Sequence, residues 1–231
     1  MTGLDDDLLP SALLAGYEKF LAGDFRGERE TFHDLAEKGQ HPHTLVIGCC
    51  DSRVSPEEIF NAAPGEIFDI RNVANLVPPF GENNHHHSAW AAIDYAVSTL
   101  RVRNIVVLGH ASCGGVRAFV SGGEESFGEP LAADDSLGQW LALLAPAARR
   151  LGRAPDGADS AELLARESVK QALVNLRTFP KVAALEREGR LALHGAFFGI
   201  EDARLLVLDP ARELFVQIAA LQHKEAMSAR F

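Results

Sequence analysis

Three short apolar runs, at 44–48, 66–70 and 104–109, constrain this chain more than any other feature of its sequence. Each is bounded by Gly, Pro or polar residues and is too short for an ordinary helix, which is how strands buried on both faces of a parallel sheet read. Between them, 56–62 and 88–100 carry apolar residues at helical spacing. Strand and helix therefore alternate, and the expected class is α/β: a mostly parallel β-sheet flanked by helices, with right-handed crossovers. Ahead of the first run, 11–38 reads as two helical pieces, one through Leu13, Leu14, Tyr17, Phe20 and Leu21 and one through Phe32, Leu35 and Ala36. After the third run, the Gly-rich and acidic stretch 121–135 reads as a loop, and helical candidates follow at 137–151, 161–176 and 180–188. Segments 191–198 and 204–208 read as a hairpin added to the sheet, turning near Glu201 and Asp202, and a last helix is expected from about Ala211. The stretch 152–160 is a connection and not a domain linker, because neither side of it holds a complete sheet. The chain 1–231 is thus read as a single domain, with 1–39 a helical arm and 40–231 the α/β core.

Composition narrows the function. The 22 basic against 32 acidic side chains leave a formal charge of −10 with no basic block, which argues against nucleic acid or an anionic membrane surface as partner. No apolar run approaches the roughly 18 residues of a membrane span. The first ten residues carry Asp5, Asp6 and Asp7 in place of the basic and apolar regions of an export signal, so a cytoplasmic location is expected. Three cysteines, two of them adjacent, do not make a disulfide framework, and a reduced thiol is free to ligate metal.

The chemistry concentrates in two motifs. Cys49-Cys50-Asp51-Ser52-Arg53 stands at the carboxyl end of the first apolar run, where open α/β sheets bind ligands, and His110-Ala111-Ser112-Cys113 stands at the end of the third. Two strand ends of a parallel sheet can lie side by side, so Cys49, His110 and Cys113 can converge. Donors of this kind suit zinc, and three ligands in place of four leave a position for water or substrate. Successive strand residues point to opposite faces, so Cys50 is read as a small core residue and not a ligand. His85, His86 and His87 are adjacent and lack the spacing of a helical ligand pair, which makes them a polar lead-in to the helix at Ser88. Gly114 and Gly115 fit no phosphate loop and are read as letting the backbone pass close to a metal site before a helix begins.

With a third stretch, Arg71-Asn72-Val73-Ala74-Asn75-Leu76-Val77, these motifs in this order resemble the β-class carbonic anhydrases, from about Gly16 to the final helix. His194 and Gly195 before Ala196, Phe197 and Phe198 are similar to the family's closing strand, where Trp often replaces Ala196. The resemblance implies a zinc enzyme that hydrates carbon dioxide reversibly to bicarbonate and a proton. It also implies a homodimer or higher homo-oligomer, with the helical arm on a neighbouring subunit and active sites at dimer interfaces. Zinc would lower the pKa of its water, Asp51 would orient the resulting nucleophile, and Arg53 would clamp the Asp51 carboxylate bidentately. By similarity to the plant-type (type I) subgroup, Gln40, Phe68, Val73 and Tyr95 would line the carbon dioxide pocket. A bicarbonate-regulated subgroup carries a Trp and a Tyr where this chain has Val46 and Phe198, beside Arg71, so that regulation is expected to be absent. Competing readings are a carbonyl sulfide or carbon disulfide hydrolase on the same fold and a non-catalytic zinc protein. The presence of both Asp51 and Arg53 argues against the second.

Overall fold

The three apolar runs form neighbouring strands at one end of a six-stranded sheet. The computed structural model describes residues 9–81, 87–122 (the backbone alone at His87) and 135–218. Its strands β1 (Thr44–Cys49), β2 (Ile67–Asn72), β3 (Asn104–His110), β4 (Ala192–Phe198), β5 (Leu205–Asp209) and β6 (Leu214–Gln217) lie in the order β2-β1-β3-β4-β5-β6. The first four pair in parallel, and β5 and β6 are added antiparallel at one edge. From β1 the chain moves out to β2 and then returns to the other side of β1 for β3. Strand order therefore reverses between β1 and β3, and the crevice at their carboxyl ends is the ligand position of open α/β sheets.

Alternation along β1 sends Leu45 and Ile47 to one face and Val46 to the other. On the first face they pack with Ile105 and Val107 of β3, Ile93 of α4 (His87–Tyr95), Val169 of α8 (Ser160–Leu176) and Val182 of α9 (Pro180–Arg187). On the second, Val46 packs with Leu108, Ala196 and Phe198. Helix α8 sits close to the sheet because two neighbouring strands carry glycine beneath it. A Cβ on Gly109 would lie 2.6 Å from one methyl of Val169, and one on Gly195 would lie 3.0 Å from the other. Alanine at either position would push the helix off the core.

Four expectations need adjustment. The stretch 137–151 is not one helix: α6 (Ser136–Leu141) passes through a 3₁₀ turn, Ala142–Leu144, into α7 (Ala145–Leu151), with Pro146 in the first turn of α7. A proline N–H is missing there, and the first turn of a new helix is where that does no harm. The helix expected at 88–100 ends at Tyr95 and continues as a π-helical turn, Ala96–Leu100. The helix expected from Ala211 is overturned. Asp209 Oδ1 accepts the backbone N–H groups of Ala211 and Arg212, which makes a tight turn, and Leu214–Gln217 returns as edge strand β6. The helix-forming composition of 211–214 loses to the antiparallel register and to Phe215, which packs on Phe197 at 6.1 Å between ring centroids. Cys50, expected in the core, is exposed, because β1 ends at Cys49 and the Cys50 N–H turns to the Asn72 carbonyl. The histidines at 85 and 86 lie outside the described residues, as does most of the loop expected at 121–135, which follows α5 (Gly114–Ser121).

Residues Met1–His41 form a compact unit of their own, and Pro42–Phe231 form the other. The first holds α1 (Ser11–Ala22) and α2 (Asp24–Lys38), joined at Gly23 by a cluster of Phe20, Phe25 and Phe32 with ring centroids 5.3–5.9 Å apart. No residue of either helix is buried. Among the described residues, no helix is long and apolar enough to cross a membrane.

Candidate active site

The last residue of β1 is Cys49 and the last of β3 is His110, and the tight turn after β3 brings Cys113 back beside them. Ser112 makes that turn in the left-handed region, at φ 56°. One ligand atom from each of Cys49, His110 and Cys113 lies within 4.8 Å of the others, and all three residues are buried. His110 Nδ1 is 2.9 Å from the Ala111 carbonyl oxygen, so it carries the proton and donates, leaving Nε2 with a lone pair. Nε2 is buried with no hydrogen-bond partner. Both cysteines are free thiols. An orphaned imidazole nitrogen and two unpaired thiols converging in a buried space match the donor set of zinc, and three of them leave a fourth direction open.

A hydrogen bond between the two thiols lowers Cys49 from the ordinary thiol value, against the opposing effect of burial. The same bond, and burial after it, pushes Cys113 up. Ala74, after β2, and Val116, in the first turn of α5, pack with both cysteines in one buried cluster.

Asp51 and Arg53 follow Cys49 on the loop after β1. Arg53 Nε donates to Asp51 Oδ1 at 2.9 Å and its terminal nitrogen donates to Oδ2 at 2.7 Å, a bidentate pair, and the Arg53 backbone N–H adds a bond to Oδ1 at 3.0 Å. The Arg53 side chain above all, against a small cost of burial, holds the Asp51 carboxyl far below the usual carboxylate range. Arg53 also reaches the Ser112 carbonyl at 3.4 Å, which ties the β1 loop to the β3 loop.

Arg71, which similarity had connected only with regulation, braces this loop. Its Nε donates to the Cys49 carbonyl at 2.8 Å and its terminal nitrogen to the Asp51 carbonyl at 2.7 Å. Trp140 of α6 donates from Nε1 to the Val73 carbonyl at 2.8 Å, and nothing in its sequence surroundings points to that role. Val73 opens a 3₁₀ turn, Val73–Asn75, directly after β2 and packs against α5 beside the cluster. Phe68 and Tyr95 lie elsewhere. Their rings touch, at 5.8 Å between centroids, and Tyr95 is 45% exposed. Phe68 stands opposite Leu45 in the sheet, four residues before Cys49, which is roughly 13 Å along the strand. Gln40 belongs to the N-terminal unit, on the exposed connection after α2.

Fold and cluster together define an open α/β protein with a buried Cys-His-Cys metal-binding constellation at its topological switch point. Comparison with known proteins gives that class a family. A family profile described as Carbonic anhydrase matches residues 44–205. A carbonic anhydrase from Pseudomonas aeruginosa is 38% identical over 219 residues, covering 92% of this chain and 93% of that protein. Carbonic anhydrase 1 of Escherichia coli O157:H7 is 36% identical over 211 residues, covering 90% of this chain and 92% of that protein. The solved structure of the β-carbonic anhydrase CcaA superposes with a TM-score of 0.79 at 32% identity, covering 91% of this chain and 92% of that one. The chain belongs to the carbonic anhydrase family, with the fold of its β class.

Proposed function

We propose that this protein catalyses the reversible hydration of carbon dioxide to bicarbonate and a proton, with zinc held by Cys49, His110 and Cys113. The observation that carries this is the buried convergence of two free thiols and an orphaned imidazole nitrogen within 4.8 Å, next to an arginine-clamped carboxylate. Zinc bound there supplies the Lewis acidity that lets a water give up its proton near neutral pH. The residues of the chain do the positioning. His110 presents Nε2 because the Ala111 carbonyl holds its other nitrogen. Asp51 is kept ionised by Arg53, so it can only accept: lone pairs left over from the clamp take the O–H of the attacking oxygen and aim it at the carbon of the substrate. Arg53 keeps that carboxylate turned toward itself, so that it would not compete with Cys49, His110 and Cys113 for the metal.

Phe68, Val73 and Tyr95, with Gln40, form the remaining wall of the pocket in this reading, which follows the plant-type subgroup. The roughly 13 Å of strand between the Phe68 row and Cys49 is too far for one chain to line a pocket for a three-atom molecule with both. A second copy that brings its own Phe68 and Tyr95 to the cluster resolves this, so the functional unit is a homodimer or a larger homo-oligomer. A chain from the crystal structures of two tetrameric β-carbonic anhydrases of Sordaria macrospora superposes with a TM-score of 0.71 at 29% identity, covering 86% of this chain and 95% of that one. The exposed stripe Leu13, Tyr17 and Leu21, four residues apart along α1, suits an arm laid on a neighbouring subunit. Three free cysteines suit a reducing, cytoplasmic compartment. Regulation by bicarbonate is absent in this reading: Val46 and Phe198 pack together in an apolar cluster with no donors to offer an anion, and Arg71 is engaged with backbone carbonyls.

Stopped-flow hydration of carbon dioxide by the zinc-loaded protein tests the reading. Saturable turnover with hyperbolic bicarbonate inhibition is expected. A rate no greater than buffer alone defeats it.

A further inference from the structure

The two cysteines of the cluster pack against two different elements, and those two elements touch at one glycine. Ala74, in the 3₁₀ turn after β2, and Val116, in the first turn of α5, lie in one buried cluster with Cys49 and Cys113. A Cβ built on Gly115 would lie 2.8 Å from Val73 Cγ1 and 3.3 Å from the Ala74 Cβ. The backbone that carries both neighbours is held in place. The Val73 carbonyl is held by Trp140, both ends of the Asn72 side chain are bonded to Leu76 across the turn, and Ala74 is fully buried in the left-handed region at φ 64°. Asn75 follows at φ 48°, 3% exposed, with its side-chain nitrogen unpartnered. Two consecutive non-glycine residues in that region are strained and persist only where the surroundings dictate them.

We propose that Gly115 is a positioning residue for the metal cluster: its missing side chain lets α5 and the Val73–Asn75 turn close on each other, which keeps both elements packed on the two cysteines. This rests on the reading that the cluster holds zinc. Gly114, one residue earlier in the same helix, provides an internal control, since a Cβ there meets nothing within 4 Å.

The test uses the full-length protein and zinc competition against a chromogenic chelator, with the sulfur-to-cobalt charge-transfer absorption of the cobalt(II)-substituted protein as a second readout. Gly115→Ala is expected to weaken zinc binding by about 10–100-fold, the range for partners that orient metal ligands, and to shift the cobalt spectrum. Gly114→Ala is expected to do neither. Adding Val73→Ala to Gly115→Ala removes the closest collision and should return zinc affinity to within about threefold of wild type. Wild-type affinity in Gly115→Ala, or an equal loss in Gly114→Ala, overturns the proposal. Should Gly115→Ala alone fail to fold, the double variant decides: recovered affinity supports the proposal, and a loss of tenfold or more, on the order expected of an orienting partner, refutes it. A wild-type protein that takes up no zinc defeats the metal reading and this inference with it. One zinc in the wild type and an indifferent Gly115→Ala defeat this inference alone.

Discussion

The ligand cluster and the aromatic pair of Phe68 and Tyr95 were expected to belong to one pocket, yet within a single chain they stand apart. Cys49, His110 and Cys113 meet in a buried space fixed by the parallel register of β1 and β3, while Phe68 and Tyr95 meet each other away from it, Phe68 against a different core cluster and Tyr95 45% exposed. The difference separates two kinds of site residue. Those on the loops that leave adjacent strand ends are brought together by the topology itself. Those that project from a strand four residues back and from the end of a helix depend on what covers them.

The sharpest way to break the comparison is to remove a ligand. Cys113→Ser should abolish zinc uptake and return carbon dioxide hydration to the uncatalysed rate. Cys50→Ser, at an exposed position one residue from a ligand, should leave stability within about 0.5 kcal/mol and retain the metal. Metal analysis of the two proteins checks both, and loss of zinc in Cys50→Ser would reassign the cluster. Next in size is Asp51→Asn. It keeps the volume and removes the charge-assisted clamp, so kcat/KM should fall by about a hundredfold while zinc content stays unchanged.

How far each region could be read without a structure follows the same division. The motif around Cys49 and the one around His110 are short and local, and each follows an apolar run, so strand order was enough to predict that they meet. The parallel core was equally legible, because continuous apolar runs bounded by Gly and Pro have few other uses. Edge strand β6 was not: its first residues are good helix formers, and only the bonds from Asp209 and the contact of Phe215 with Phe197 reveal a turn and a strand. Trp140 was illegible as a neighbour of the cluster for another reason, and although Gly115 was read as passing close to a metal site, nothing in the sequence set it apart from Gly114. Their roles depend on how α6 and α5 pack on the turn after β2, and that packing leaves no periodic trace in the sequence.

Smaller effects test the aromatic wall. Phe68→Ala or Tyr95→Ala should lower kcat/KM by about tenfold with zinc retained, since each removes positioning and not chemistry. Mixing such subunits with Cys113→Ser subunits sharpens the comparison. If the wall comes from a second copy, some hybrid oligomers contain one site with both a wild-type cluster and a wild-type wall, and activity rises above that of either parent. No recovery in a mixture shown to contain hybrids would return the wall to its own chain.

The smallest effect is expected outside both regions, at Glu167 on α8. Burial raises its pKa, but bonds from Arg150 and Lys170 outweigh this and leave it lowered. A carboxylate whose folded pKa is depressed contributes stability above its unfolded value, about 4.3, and loses it as pH falls through the folded value. Glu167→Gln should therefore cost about 1 kcal/mol at pH 7, kept small because Arg150 is 42% exposed, and the difference from wild type should vanish in acid. Urea unfolding at both pH values measures it, and hydration activity should not change.

The central claim is the composition of the metal cluster, and X-ray absorption at the zinc edge tests it most directly on the purified protein. One zinc per chain is predicted, with two sulfur neighbours at about 2.3 Å and one imidazole nitrogen at about 2.0–2.1 Å. A zinc shell with fewer than two sulfurs, or a fully loaded protein that gives the same shell after Cys113→Ser, would contradict it.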